Sequence, residues 1–300
     1  MLPSLARRGP LRPIRWTYLP EPIAYTRGLI LQERLVQLRL DAKQALESNS
    51  TTTPSSVSNL GQSELDDIAN TDVLLLLQHR PVYTAGKRET DPVRAANERE
   101  RLGQLGADYV QTNRGGQTTY HGPGQLVGYP LVDLAASKLS TRCYVDRLET
   151  FLKDLVESYG IKTHPLEHTG VFVSETSKIA SIGVQIRRRI TMHGFSINLE
   201  QETRRWFDQI VACGLDHVTS TSVEAELFAR QKHEGLETPR TFKVENQIER
   251  AVELFSKRYD RQLVKFERDD EFETTRNLIR AGVQGELEPV VKKAPIMGRM

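Results

Sequence analysis

Lys178-Ile179-Ala180-Ser181-Ile182-Gly183-Val184-Gln185-Ile186, then Ile190-Thr191-Met192-His193-Gly194-Phe195-Ser196-Ile197-Asn198-Leu199, is the stretch on which the fold turns. Both halves read as β-strands, and no helical pattern separates them. Working outward, further strands are expected at 107–112, at 125–132 and at Val171–Ser174. Residues 73–78 form a compact apolar run suited to a fully buried strand. Leu31, Leu35, Leu38, Ala42 and Leu46 recur at helical spacing and predict a helix over 25–47. Val145, Leu148, Leu152, Leu155, Val156 and Tyr159 share one face of a second helix, which Gly160 stops. Val244, Ile248, Ala251, Val252 and Phe255 mark a third. Strands and helices do not alternate, which argues against a doubly wound parallel sheet. The expectation is an α+β fold: a single domain on a mixed β-sheet flanked by helices.

Length and composition set the outer bounds. Three hundred residues can bury a full core. Forty-one basic residues nearly balance thirty-nine acidic ones, which argues against a nucleic-acid binder. No apolar run approaches the roughly 20 residues that span a bilayer, so no membrane partner is expected. Two cysteines, Cys143 and Cys213, make neither a disulfide framework nor a four-cysteine zinc site, which points to a reducing compartment. Residues 1–15 hold Arg7, Arg8, Arg12 and Arg15 and no acid, the composition of a mitochondrial presequence or a disordered leader. Residues 48–70 are rich in Ser, Thr and Asn and read as a disordered insertion inside a domain over 16–265. Residues 266–300 lose periodicity and read as a C-terminal tail.

Three clusters could carry chemistry. The densest is Arg114-Gly115-Gly116-Gln117-Thr118-Thr119-Tyr120-His121-Gly122-Pro123-Gly124-Gln125. Its glycines allow close approach of backbone to a ligand, and Arg114 and His121 are donors. A turn-rich hairpin without a ligand fits the same composition. The dinucleotide and phosphate-loop patterns are absent. The second cluster is the opening stretch, with Lys178 at a strand edge, where a lysine ordinarily points into water. A lone His193 is ordinarily structural. The third is Ile210-Val211-Ala212-Cys213-Gly214, a thiol at an abrupt turn. Taken alone, Cys213 reads as inert packing, as does Cys143. The histidines have no ligand-type spacing, so no metal is expected.

Together these segments resemble the octanoyltransferase (lipoyl(octanoyl) transferase) family over about residues 16–260. His79-Arg80-Pro81-Val82-Tyr83-Thr84 looks like the family's early segment, and 114–125 like its most specific signature. Lys178 to Gly183, His193 to Asn198 and Cys213-Gly214 follow in the family's order. Ala212 stands where members commonly have Pro, and Met192 where a second histidine often precedes His193.

The resemblance implies a biotin/lipoate protein ligase-like fold. It also implies transfer of an octanoyl group from octanoyl-acyl carrier protein to a lysine of lipoyl domains. The acceptors would be 2-oxoacid dehydrogenase E2 subunits and the glycine cleavage H protein; the mitochondrial location expected rests on the four N-terminal arginines and the Ser/Thr-rich insertion. By resemblance Cys213 carries the acyl thioester and Lys178 lowers that thiol's pKa. Arg114, Gly115, Gly116, Gln117, Thr118, Thr119, Tyr120 and His121 match substrate-binding segments. So do Ser181, Ile182 and Gly183, and Gly194, Phe195 and Ser196. No cofactor is expected, because a thioester donor is already activated. The rival reading is an ATP-dependent lipoate or biotin protein ligase of the same fold. A non-catalytic lipoyl-domain binding protein is a third.

Overall fold

The quoted stretch folds as two long antiparallel strands, which stand near one end of the main sheet. The computed structural model describes residues 11–47, 53–210, 217–234, 242–267 and 272–290. In chain order the elements begin with β1 (Ile14–Ile23), α1 (Tyr25–Glu47), α2 (Gln62–Asn70), β2 (Val73–His79) and β3 (Val82–Ala85). Next come α3 (Pro92–Gly103), β4 (Asp108–Gln111), β5 (Thr119–His121), β6 (Gln125–Leu131) and α4 (Thr141–Glu157). β7 (Val171–Ser174), β8 (Ser177–Arg187), β9 (Ile190–Asn198), α5 (Thr203–Phe207) and β10 (Thr219–Ser220) follow. The chain continues through α6 (Val223–Glu234), α7 (Ile248–Tyr259), β11 (Leu263–Lys265) and α8 (Glu273–Gln284).

Eight strands form the main sheet, in the order β10-β8-β9-β6-β2-β1-β11 with β7 also on β8. β1 runs parallel to β2 and to β11, while β6 is antiparallel to both β2 and β9, so the sheet is mixed as expected. The apolar run of β2 explains itself here. Leu74 and Leu76 pack into the cluster with α4 and α7, and Val73, Leu75 and Leu77 into the cluster with α1 on the other face. A strand covered on both sides needs no polar alternation. Asp72, just before it, is buried and pairs with Arg39 of α1 at 2.6 Å and with Arg261, beyond α7.

A second, three-stranded sheet, β4-β3-β5, was not expected. β4 falls within the strand expected at 107–112, but β3 and β5, with four and three residues, are too short for a period to show. Tyr83, Tyr109 and Tyr120 fill its core with Leu102 of α3 and Phe207 of α5.

Four expectations are corrected. In 48–70, residues 48–52 lie outside the described residues, but α2 packs Leu65, Ile68 and Ala69 against Leu38 and Ala42 of α1. That stripe, at i, i+3 and i+4, is enough to bury one face although the segment is polar on average. The tail expected over 266–300 contains α8, which lies on α1 so closely that a Cβ on Gly282 would stand 2.8 Å from Leu31 Cδ1. The leader expected over 1–15 overlaps β1, where Ile14 is fully buried, and Arg12 pairs with Asp66 and Asp67 of α2. Residues 1–10 lie outside the described residues. Cys143 is also not packing: it is exposed in the first turn of α4.

Candidate active site

A narrow cleft opens between the α1 face of the main sheet and the loop joining β4 to β5. Its floor is the β8–β9 ladder, where Ser181 stands opposite Ser196 and Gly183 opposite Gly194. Neither glycine has room for a side chain. A Cβ on Gly194 would lie 2.4 Å from Gly128 O, and one on Gly183 3.1 Å from Arg114 Cδ. Ile182 and Phe195 complete the floor, and Val127 adds an apolar wall.

The opposite wall is the glycine-rich loop, and Arg114 holds it in place. Its buried guanidinium donates to Gly115 O (2.9 Å), Thr84 O (2.5 Å), Thr84 Oγ1 (2.8 Å) and Gln117 O (2.9 Å). The loop thus closes on β3 and on itself, and Gly115 N ties it to Val184 O of β8 at 3.1 Å. Gly116 is in the left-handed region at φ +92, with its carbonyl so near Gly86 that a Cβ there would be 2.2 Å away. Arg114, Gly116, Thr119 and His121 line the cleft. Four expected residues do not. Gly115 and Gln117 serve the loop's own bonds, Thr118 Oγ1 reaches Glu89, and Tyr120 sits in the small sheet stacked on Trp206.

Sequence reasoning missed the polar end of the cleft, made by Tyr25 at the start of α1, His193 and Tyr129, with His79 behind them. His79 Nδ1 bonds to Ile23 O (3.1 Å), which only accepts, so Nδ1 carries the proton and Nε2 accepts from Tyr129 Oη at 2.6 Å. His121 Nδ1 lies 2.6 Å from Gln125 Oε1, and Gln125 Nε2 donates to Asn198 Oδ1 at 2.9 Å. Burial lowers His79 to about 4 and, with Arg114 and His79 nearby, His193 to about 3. His121 is likewise held well below its ordinary value, first by burial and then by His79 and Arg114. All three rings are neutral at neutral pH. Tyr25, raised to about 12 by burial, stays protonated. His79, inside the quoted 79–84 segment, and His193, in the 193–198 segment, were visible beforehand; Tyr25 and Tyr129 gave no signal.

Lys178 occupies a small adjoining cavity, and Ser181 lines both spaces. It does not point into water. Its residue is 8% exposed, its Nζ donates to Thr169 O at 3.1 Å, and the ammonium lies 5.2 Å from the Phe172 ring centre. Gly170, at φ +125, makes the room: a Cβ there would be 2.6 Å from Lys178 Cε. β10 pairs in parallel with this end of β8, Ser220 opposite Lys178, and Asn198 Nδ2 donates to Ser220 Oγ at 2.8 Å. Cys213 lies outside the described residues. The chain on either side is placed: Ile210 packs on the small sheet, and Thr219 N bonds to Thr176 O at 2.7 Å. Among the described residues no group of three or more His, Cys, Asp or Glu side chains is arranged to hold a metal.

Residues 58–247 match the lipoyl protein ligase A/B catalytic domain. Over 167 residues the chain is 44% identical to the mitochondrial octanoyl-acyl-carrier-protein:protein N-octanoyltransferase of Danio rerio, covering 55% of this chain and 73% of that one. The chain belongs to the octanoyltransferase family. An octanoyltransferase of Mycobacterium leprae is 44% identical over 162 residues, 52% of this chain and 66% of that protein. Among solved structures, lipoate-protein ligase A bound with ATP superposes with a TM-score of 0.54 at 12% identity, over 91% of this chain and 94% of that one. At that identity the likeness is one of fold, and it agrees with the ligase-like architecture expected. As an octanoyltransferase the chain is an acyltransferase acting in protein lipoylation. The geometry suits such chemistry: a narrow, glycine-floored cleft leads from a buried ammonium to a neutral polar end.

Proposed function

We propose that this octanoyltransferase carries the octanoyl group on Cys213, taking it from octanoyl-acyl carrier protein and passing it to a lysine of lipoyl domains. The observation that carries the reading is the buried Lys178. Its strand is paired by Thr219 and Ser220, which follow Cys213 by six and seven residues in the chain. An ammonium in a dehydrated setting stabilises a thiolate, whose free thiol titrates at about 8.5.

In the first half-reaction the Cys213 thiolate attacks the thioester carbonyl. A new C–S bond forms, the carrier's C–S bond breaks, and the departing thiolate takes a proton from Lys178. In the second, the acceptor amine attacks the acyl-enzyme, a C–N bond forms, and Cys213 leaves as thiolate. The proton shed by the amine returns to Lys178. Both tetrahedral oxyanions need donors, and backbone N–H groups near Lys178 and Cys213 are the candidates. The glycine floor lets the acyl chain lie against the backbone. Acceptors of this chemistry are the lipoyl domains of 2-oxoacid dehydrogenase E2 subunits and the glycine cleavage H protein. The mitochondrion is the proposed compartment, supported by the named location of the Danio rerio relative and by the arginines near the N-terminus.

The test is intact mass after incubation with octanoyl-acyl carrier protein and no ATP. One octanoyl adduct is expected, lost in Cys213→Ala. Transfer by Cys213→Ala at the wild-type rate, or an absolute need for ATP, overturns the reading. Lys178→Ala should raise the pH at which the thiol is alkylated; an unchanged profile removes Lys178 from this role.

A further inference from the structure

The end of the cleft remote from Lys178 is polar, which is unexpected beside an alkyl chain. The Arg114 guanidinium lies near enough to the Tyr25 hydroxyl to act on it by charge, and a cation draws the hydroxyl oxygen, not its proton, towards itself. The Tyr25 hydroxyl therefore gives its own proton to His193 Nδ1, 3.2 Å away. A neutral His193 must then carry its proton on Nε2. That Nε2–H is buried, lines the cleft and has no hydrogen-bond partner among the described residues. The backbone is bent to put it there. His193 has φ +55 inside a regular strand, a left-handed conformation that non-glycine residues rarely adopt. Its N–H is fixed by Gln32 Oε1 at 2.7 Å, and Tyr129 stands edge-on with ring centres 6.3 Å apart. An outlier held by so many contacts points to use rather than accident.

Position gives it meaning. On the β8–β9 ladder Ser181, shared with the Lys178 cavity, is three rows from Val184, which pairs with His193. At about 3.3 Å per residue that is roughly 10 Å. An extended octanoyl chain, with C–C bonds of about 1.5 Å, spans roughly 9 Å.

Resting on the proposed octanoyl transfer, we infer that His193 is the stop that sets acyl-chain length: its Nε2–H closes the cleft where an eight-carbon chain ends. A chain that stops short leaves the N–H in reach of water. Two further methylenes would cover it with hydrocarbon and leave a buried donor without an acceptor, which costs a factor of about ten or more.

The experiment measures transfer from hexanoyl-, octanoyl-, decanoyl- and dodecanoyl-carrier protein to a lipoyl domain. Wild type is compared with His193→Gly and His193→Asn, both of which tolerate the left-handed backbone. Whatever the change in absolute rate, the decanoyl-to-octanoyl ratio should rise about tenfold in His193→Gly. A second arm uses wild type alone, so it does not depend on a variant folding. An 8-hydroxyoctanoyl donor should be transferred about tenfold better than nonanoyl, its near isostere, because its hydroxyl accepts from Nε2–H. His193→Gly should erase that preference. Octanoyl transfer with an unaltered length profile, and no preference for the hydroxyl, overturns the inference alone. Failure to transfer any acyl group from the carrier overturns instead the function on which it rests.

Discussion

Replacing Arg114 by lysine keeps the charge and removes the fork. In the protein the guanidinium serves four acceptors, three of them backbone carbonyls, on two chain segments thirty residues apart. A lysine has one nitrogen on a flexible stem and cannot reach across that spread. At least two buried carbonyls would then lack donors, each worth about 1–3 kcal/mol, so the expected loss is about 2–6 kcal/mol. For a domain of this size, at about 2–4 °C per kcal/mol, Tm should fall by about 4–24 °C. Hydrogen exchange should locate the effect: the amides of Gly115 and Lys87, which bond to Val184 O and Arg114 O, should lose protection first. Acyl transfer should fall with it, because the loop is one wall of the cleft. A variant whose Tm stays within about 1 °C of wild type, with those amides still protected, refutes the assignment of Arg114 as the loop's fastener.

The two floor glycines should behave differently. Gly194→Ala drives a methyl to 2.4 Å from a backbone oxygen and should cost at least about 2 kcal/mol in urea unfolding. Gly183→Ala meets Arg114 Cδ at 3.1 Å and Gly115 O at 3.4 Å, contacts relieved by a few tenths of an ångström; it should lower the urea midpoint less than Gly194→Ala does while slowing transfer of long acyl groups. Gly282→Leu should push α8 off Leu31 of α1 and lower stability by about 1–3 kcal/mol; an unaltered midpoint would restore the reading of this region as a tail. Acid should destabilise the fold through its buried histidines. Unfolded histidine titrates at 6.5, whereas folded His79 and His193 titrate at about 4 and about 3. Above pH 6.5 both states are neutral and this stability is intact. As pH falls from 6.5 towards 4 only the unfolded chain takes up protons, so each ring should remove about 1.4 kcal/mol per pH unit. Urea midpoints at pH 7, 6 and 5 measure this, and a flat series contradicts it.

What could be read from the sequence follows the reach of each signal. β2, β6, β8, β9, α1, α4 and α7 each repeat a pattern long enough to stand alone, and each is present. β3, β5, β10 and β11 have two to four residues and exist because a partner strand is there. α2 was hidden because its three buried residues sit in a polar segment. The site divides in the same way. The glycine-rich loop and the 178–183 and 193–198 segments announce themselves as local motifs. The far end of the cleft is assembled from Tyr25, His79, Tyr129 and His193, which share no motif and meet only when α1 closes over the sheet. Nothing in the alternation of β9 foretells that His193 turns to the same side as Met192, since that depends on one dihedral.

The pairing of Asp72 with both Arg39 and Arg261 has a consequence for how the chain comes together. β1 precedes the other described strands in the chain, yet its outer neighbour β11 follows some 250 residues later. Until then β1 has an open edge, and Asp72 has only half of its counter-charge. The sheet is therefore sealed last at β1, by a contact of very high sequence separation, the type that folds slowly. A fragment ending before Arg261 would contain every described cleft residue and still lack the clasp that Arg261 and β11 supply.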